Sequence, residues 1–344
     1  MQTQIVNANL GENIKLAADV IRRGGLVAFP TETVYGLGGD ATNEAAVAKI
    51  FAAKARPTFD PLIVHIASID MLRSVVSAIP EVARHLINAF WAGPLTLILM
   101  KTDKIPDIVT AGLTTVAVRM PQNENALALI EEAGVPIAAP SANSFGYPSP
   151  TQVEHVMADL GGKIDLILDG GATRVGVEST VLDLTCLPPV ILRPGGVSRE
   201  SLAGILGEVS VCPGIEGEIF KSPGQMKQHY APRAKVLLFG GKCREKVMAT
   251  MRERLKELKR ESQIGVMVPQ EELCHFTDDD VVAIGLGSFA TMEEVARKLF
   301  AAMRTLDDRG VDYILTLAPP KEGIGLAVFD RLFKASGSQL IEVD

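Results

Sequence analysis

The chain has no closely spaced cysteines: Cys186, Cys212, Cys243 and Cys274 are scattered through 344 residues without a C-x-x-C pair. That spacing argues against both a zinc site and a disulfide framework, so the thiols read as reduced and mostly structural. No apolar run approaches the roughly 18 residues of a membrane span, and no membrane contact is expected. The opening residues, Met1-Gln2-Thr3-Gln4-Ile5, lack the basic-then-apolar order of a signal peptide, which points to the cytoplasm. Positive charge is also scarce. With 34 Lys and Arg against 41 Asp and Glu, the formal net charge is −7. Nucleic acid would therefore find no global electrostatic footprint, and any RNA contact would be local or transient. The common phosphate, metal and triad templates are missing too: the chain contains no G-x-x-x-x-G-K-[ST], H-E-x-x-H, G-x-S-x-G or kinase signature.

What is present is an ordinary globular composition, 47% hydrophobic and 22% charged, in a chain long enough for about two domains. Its organising stretch is Pro30-Thr31-Glu32-Thr33-Val34-Tyr35-Gly36-Leu37-Gly38, which follows the apolar run Leu26 to Phe29. It reads as a buried strand whose end opens into a loop, where ligands of open α/β sheets bind. Tyr35 would offer an aromatic face, and Gly36 and Gly38 would let backbone approach a ligand. The alternative is an ordinary glycine-containing turn after a core strand.

Along the chain, helical periodicity covers Glu12 to Arg23, and Asn43 can cap a helix running through Lys54. Pro57 disfavours a helical Arg56, so Lys54-Ala55-Arg56 is delivered to a loop. Strands are expected at Leu62 to Ile66, Leu95 to Met100, Val116 to Arg119 and Pro136 to Ala139, with helices at Pro80 to Phe90 and Asn123 to Ala133. A long polar loop, Pro140 to Pro150, precedes a capping box of Thr151 and Glu154. Strands at Leu166 to Asp169, Thr180 to Leu184 and Val190 to Arg193 complete an α/β layer structure with a largely buried sheet. A first domain over 1–211 is followed by an aperiodic linker over 212–233 and a smaller Rossmann-like alternation over 234–344, without a G-x-G-x-x-G fingerprint.

The polar groups cluster at strand and helix ends: Lys54, Arg56, Arg119, Ser141, Asn143, Ser179 and Arg193. Cations beside side-chain hydrogen-bonding groups suit a polyphosphate, because Arg forks onto phosphate oxygens and Lys acts as a point charge. Each residue taken singly is more often a surface salt-bridge partner.

The set Pro30 to Gly38, Lys54-x-Arg56-Pro57, Pro61-Leu-Ile-Val-His65, Ser141-Ala-Asn143, Ser179-Thr-Val181, Arg193-Pro-Gly195 and His229-Tyr-Ala-Pro232 resembles the Sua5/YrdC family in its long, two-domain Sua5 form. The resemblance spans residues from about 10 to 344 in one order of motifs. It implies a twisted open α/β YrdC-like domain followed by a smaller Rossmann-like domain. It also implies synthesis of L-threonylcarbamoyl-adenylate from L-threonine, bicarbonate and ATP, with release of pyrophosphate. The product would feed a downstream transferase that installs N6-threonylcarbamoyladenosine in tRNA, and a weak tRNA contact is among the implied partners.

Carried over by motif, Lys54, Arg56, Ser141 and Asn143 surround the polyphosphate, and Lys54 and Arg56 are the catalytic pair. L-threonine draws on Thr33, His65, Arg119, Ala139 and Ser179. Further ATP contacts are Asp60, Thr115, Ser149, Arg193 and Tyr230. Asp60 departs from the family's usual Asn, placing an acceptor-only carboxylate where a ribose or Mg²⁺ would be tolerated but a phosphate would not. No dedicated metal site is expected, since Mg²⁺ would be held mainly by the ATP phosphates. The implied mechanism has the threonine amine add to bicarbonate or CO₂, and the carbamate attack the α-phosphate in line. Positioning and charge neutralisation do most of this work, so no nucleophilic residue is named. His65 is a candidate base or an orienting group. The linker, with Ser222 to Pro232 poor in apolar residues, is expected to fold over the first domain's site with Tyr230 reaching the nucleotide. Two alternatives stay open: a non-catalytic RNA-binding module of YrdC type, and a carbamoyl-phosphate-using carbamoyltransferase. The second would sit beside acylphosphatase and zinc-finger segments, which are not found here.

Overall fold

The computed structural model describes residues 2–212, 220–226, 229–276 and 281–344. They form two compact units, one of Met1–Phe145 and Ser149–Gln225, the other of Gly146–Pro148 and Met226–Asp344. Of the segment expected as linker, 220–225 belongs to the first unit and 229–233 to the second, while 213–219 and 227–228 lie outside the described residues.

The first unit carries β1 (Gln4–Asn7), β2 (Val27–Phe29), β3 (Gly36–Asp40), β4 (Ile63–His65), β5 (Leu95–Met100), β6 (Thr115–Arg119), β7 (Ile137–Ala138), β8 (Leu166–Asp169), β9 (Thr180–Asp183), β10 (Val190–Arg193) and β11 (Ser210–Val211). These strands form one mixed sheet in the order β1-β8-β2-β3-β7-β4-β6-β5-β9-β10-β11. Helices cover it where the periodicity places them. Asn43 accepts from the amides of Ala45 and Ala46 to start Glu44–Lys54, and Asn123 accepts from Ala126 to start Glu124–Ala133. Val64, Leu97, Val118 and Leu182 pack with Ile50 and Leu86 of the helices Glu44–Lys54 and Glu81–Phe90 in the main core. Burial of each such side chain stabilises by about 1.5–3 kcal/mol. Alternation along the same strands turns Ile63, Ile98, Ala117 and Val181 to the other face, where they form a small separate apolar cluster. Polar functional groups gather around that second face.

The second unit is a parallel sheet of β12 (Lys235–Gly241), β13 (Ile264–Val268), β14 (Val281–Gly285), β15 (Tyr313–Leu317) and β16 (Ile341–Val343), ordered β14-β13-β15-β12-β16. Its main helices are Arg244–Leu258, Met292–Asp308 and Gly325–Ala335. This is the Rossmann-like alternation expected from the sequence, with β16 as an additional edge strand.

Four expectations need correction. The stretch after Phe29 is only partly a loop, because Gly36–Asp40 returns as β3 antiparallel to β2. A Cβ on Gly38 would lie 2.7 Å from Ile137 Cγ2 and 2.8 Å from Phe29 Cε1, so this glycine serves strand packing rather than ligand approach. Tyr35 offers no face to a ligand: its ring is buried, and its hydroxyl donates to the Gly171 carbonyl at 2.7 Å. Burial raises its pKa above the usual phenol value. Finally, Thr151 caps nothing. The helix Val153–Leu160 starts at Gln152 without a side-chain cap, because the Thr151 amide and hydroxyl both face His155 Nδ1, at 3.3 and 3.4 Å.

Candidate active site

The strands β4 and β6 run parallel with Ile63 opposite Ala117 and His65 opposite Arg119. Continued two residues back, that register sets Thr115 beside Pro61. Four residues separate the two ends of β6, about 13 Å at the usual strand rise. The same strand pair therefore holds one set of candidates at its Arg119 end and another at its Thr115 end.

At the Arg119 end the Thr31-Glu32-Thr33 turn is fixed locally. Thr31 Oγ1 accepts from the amides of Thr33 and Val34 and donates to the Val34 carbonyl at 2.6 Å. Further backbone bonds run from Val175 to the Glu32 carbonyl, 2.8 Å, and from Gly176 to that of Thr33, 3.1 Å. Arg119 reaches into this turn. Its Nη1 donates to Thr33 Oγ1 at 3.0 Å, its Nε to the Gly93 carbonyl at 3.2 Å, and its Nη2 lies 2.7 Å from Glu32 Oε1. The last contact is a close ion pair without in-line hydrogen-bond geometry. A guanidinium has five N–H groups, and these partners leave it capacity for a carboxylate.

His65 lies against Phe29 edge to face, with Nδ1 3.2 Å from the Ile63 carbonyl. Burial first, and the Arg119 charge second, push its pKa down to about 3. A neutral imidazole held by backbone orients a ligand better than it takes up a proton, which favours the orienting role over the base. Ala139, buried on the segment after β7, donates its amide to the Ile63 carbonyl at 2.9 Å.

At the other end, the helix Glu44–Lys54 stops at Ala55 in the left-handed region, φ 52°. Lys54 turns its ammonium onto the Ser141 carbonyl at 2.5 Å and onto the Asn143 carbonyl, with Asn143 Oδ1 at 3.4 Å. Arg56 donates to the carbonyls of Asp60 and Pro61, both at 3.0 Å, and pairs with the Asp60 carboxylate at 2.8 Å. Back at the Arg119 end, where the β5–β6 register sets Thr96 beside Arg119 and Val181 pairs with both Thr96 and Arg193, Arg193 donates to the Ser179 carbonyl at 2.9 Å and to its hydroxyl at 3.1 Å, and Ser179 Oγ also meets Thr96 Oγ1 at 2.7 Å. Gly195 turns the chain after β10 closely enough that a Cβ there would lie 2.3 Å from the Glu178 carbonyl oxygen. Ser149 donates to Glu178 Oε1.

These cations are not surface salt-bridge partners: Lys54 is 2% exposed, Arg56 7%, Arg119 3% and Arg193 3%. Burial raises the pKa of Asp60, while Arg56, Lys54 and Arg193, in that order, pull it back. Lys54 and Arg56, from one helix end, and Arg193, from β10, thus all act on one acid. Sequence reasoning missed Glu32, Glu178 and Thr96. Glu32 was within view as an acidic group in the opening motif, but its buried partner is remote in sequence.

The segment 220–225 lies on the same unit. Pro223 accepts from Arg193 Nη1 at 3.4 Å, Lys221 pairs with Asp183 at 2.9 Å, and the rings of Phe220 and Phe59 are 6.1 Å apart. Tyr230 belongs to the second unit, where its buried ring stacks on Phe300 at 5.6 Å with the Arg331 guanidinium 4.8 Å from its centroid.

A family profile described as "Telomere recombination" (Sua5, YciO, YrdC) matches residues 19–195, and one described as "Threonylcarbamoyl-AMP synthase, C-terminal domain" matches residues 197–337. The chain belongs to the Sua5/YrdC family. The threonylcarbamoyl-AMP synthase of Pyrococcus abyssi is 49% identical over 334 residues, covering 96% of each chain. That of Bacillus subtilis is 46% identical, covering 95% of this chain and 94% of its own. A crystal structure of P. abyssi Sua5 complexed with L-threonine superposes with a TM-score of 0.93 at 48% identity, over 100% of this chain and 99% of the other. The Sua5 match runs through both units, so the two-domain Sua5 architecture expected from the motifs is present.

Proposed function

We propose the following reading of the site. The chain is a threonylcarbamoyl-AMP synthase, a nucleotidyltransferase that forms L-threonylcarbamoyl-adenylate and serves N6-threonylcarbamoyladenosine formation in tRNA. Its substrates are L-threonine, bicarbonate and ATP, with pyrophosphate as the second product. The observation that carries the assignment to specific residues is the Arg56–Asp60 pair beside Lys54 at one end of the strand pair whose other end bears Arg119, with Arg193 of β10 acting on the same Asp60 from the Arg119 side. A polyphosphate suits the three cations and a small amino acid suits the Arg119 end, which leaves the reacting carbamate and α-phosphate between them.

In this reading Arg119 holds the threonine carboxylate, with Thr33, Ala139, Ser179 and neutral His65 shaping the rest of that subsite. Lys54 and Arg56 neutralise charge on the phosphates as pyrophosphate leaves, and Ser141, Asn143, Ser149 and Thr115 position the nucleotide around them. Among the described residues no group of three His, Cys, Asp or Glu could hold a metal by itself. A Mg²⁺ arriving with ATP would be held by the phosphates, with the Asp60 carboxylate as the acid beside the cation cluster, and would supply further charge neutralisation there. The segment 220–225, seated on Arg193, serves to exclude water from the nucleotide end. No helix among the described residues is long and apolar enough to cross a membrane. The test is pyrophosphate release with each substrate omitted in turn. The reading requires release to depend on threonine and bicarbonate together, and release from ATP alone would contradict it.

A further inference from the structure

The second unit contains a cavity of about 670 Å³ that the reaction above does not use. Its position follows from topology. From β12 the chain crosses to β13 on one side of the sheet, while from the adjacent β15 it crosses to β16 on the other. Two neighbouring parallel strands whose connections depart in opposite directions make a switch point, and the crevice beyond their carboxyl ends is where open α/β sheets bind ligands. The cavity is lined by residues from those ends: Gly241 closing β12 and Lys242 after it, and Pro319 to Lys321 after β15. Its volume is that of a small-molecule site.

The lining also carries chemistry. Lys321 Nζ lies 4.0 Å from the ring centroid of Phe329, and the Arg244 guanidinium 5.3 Å from that of Phe289. Each pair presents an aromatic ring together with a cation. The helices that follow β12 and β15 belong to right-handed crossovers leaving in opposite directions, so they pack on opposite faces of the sheet. Arg244 is already bound to Glu272 at 3.0 Å, which leaves Lys242 and Lys321, both exposed, as the cations for an anionic group. Glu342 and Asp344 enter from β16. Those carboxylates would repel a long polyanion but can accept from sugar hydroxyls.

We propose that this cavity binds a mononucleotide, with the phosphate on Lys242 and Lys321, the base on the aromatic lining and the ribose hydroxyls toward Glu342. The site is separate from the ATP site of the first unit and holds its ligand without chemical change. The absence of a G-x-G-x-x-G turn fits a single phosphate rather than a dinucleotide's pyrophosphate. Gly241 has a structural reason as well, because a Cβ there would lie 2.1 Å from the Val343 carbonyl oxygen, so it keeps β16 paired against β12.

Equilibrium dialysis of the full chain against labelled AMP should find two nucleotides per chain. Lys242→Glu with Lys321→Glu, both exposed positions, should weaken one of the two sites at least tenfold while pyrophosphate release stays at the parent rate. Photolabelling with 8-azido-AMP should mark the peptides carrying Phe289 or Phe329 in the parent and not in the double variant. Ribose 5-phosphate and inorganic phosphate should compete at least tenfold less well than AMP at this site. One nucleotide per parent chain, two of unchanged affinity in the double variant, or equal competition by inorganic phosphate would each overturn the proposal.

Discussion

Glu32 lies 2.7 Å from Arg119, with both side chains buried, and the pair sets how the guanidinium is presented at the end of the site proposed for threonine. Thr33 and the Gly93 carbonyl hold two of the guanidinium's N–H groups. The charge that should recognise a carboxylate is therefore aimed before any ligand arrives. Removing one partner of a buried pair typically costs about 3–5 kcal/mol, because the other charge is left uncompensated.

Glu32→Gln should accordingly raise KM for threonine by about tenfold or more, the scale of one lost charge-assisted contact, while KM for ATP changes little. Steady-state kinetics with each substrate varied separately checks this. A parallel rise in both constants would make Glu32 a general stability residue instead of a positioning one.

At Arg119 itself, the planar fork is the property that matters. Arg119→Lys should bind threonine poorly, and threonine amide should bind the parent chain poorly, since each loses paired N–H to carboxylate contacts. Calorimetric titration with the acid and the amide decides it, and equal affinity for the two would remove Arg119 from this role.

Much of this arrangement is legible in the sequence. The runs forming β5, β8 and β10 have the bounds that their apolar residues suggest, since each stops at or just before a charged or turn-forming residue. Asn43 and Asn123 announce their helices by capping chemistry. β3 is hidden because Gly-Leu-Gly-Gly-Asp has almost no strand propensity, and it is a strand only because β2 and β7 flank it. The cations of the site could be found from their places at element ends, but not their burial. Nor could the Glu32–Arg119 and Ser149–Glu178 pairings be read, because each joins elements that only the sheet order brings together. The cavity of the second unit has no motif, being assembled from the ends of three strands.

Lys54 and Arg56 should separate binding from chemistry. Lys54→Ala or Arg56→Ala is expected to lose at least a hundredfold in pyrophosphate release, the usual scale for one electrostatic contact to a developing charge, with threonine affinity within about threefold of the parent chain. Single-turnover release measured beside threonine titration reads both quantities. Near-normal release in both variants would remove the polyphosphate assignment.

His65 predicts a pH dependence. Its folded pKa is about 3, below the ordinary value of 6.5. The unfolded chain therefore binds more protons between those values, and the contribution to stability is full above about pH 6.5 and lost as pH falls toward 3. His65→Gln should flatten the loss of stability between pH 6 and 4 in denaturant titrations of the full chain. An unchanged slope would mean that other groups govern acid unfolding.

The most direct test of the central claim, that one site joins a carbamoylated threonine to AMP, is the mass of the product formed from ATP, L-threonine and ¹³C-labelled bicarbonate. The account predicts a single adenylate carrying the threonine, the AMP and one heavy carbon, absent when any substrate is withheld and greatly reduced in Arg56→Ala. An adenylate formed without incorporation of the heavy carbon, or no adenylate from a folded parent chain that binds both ATP and threonine, would contradict it.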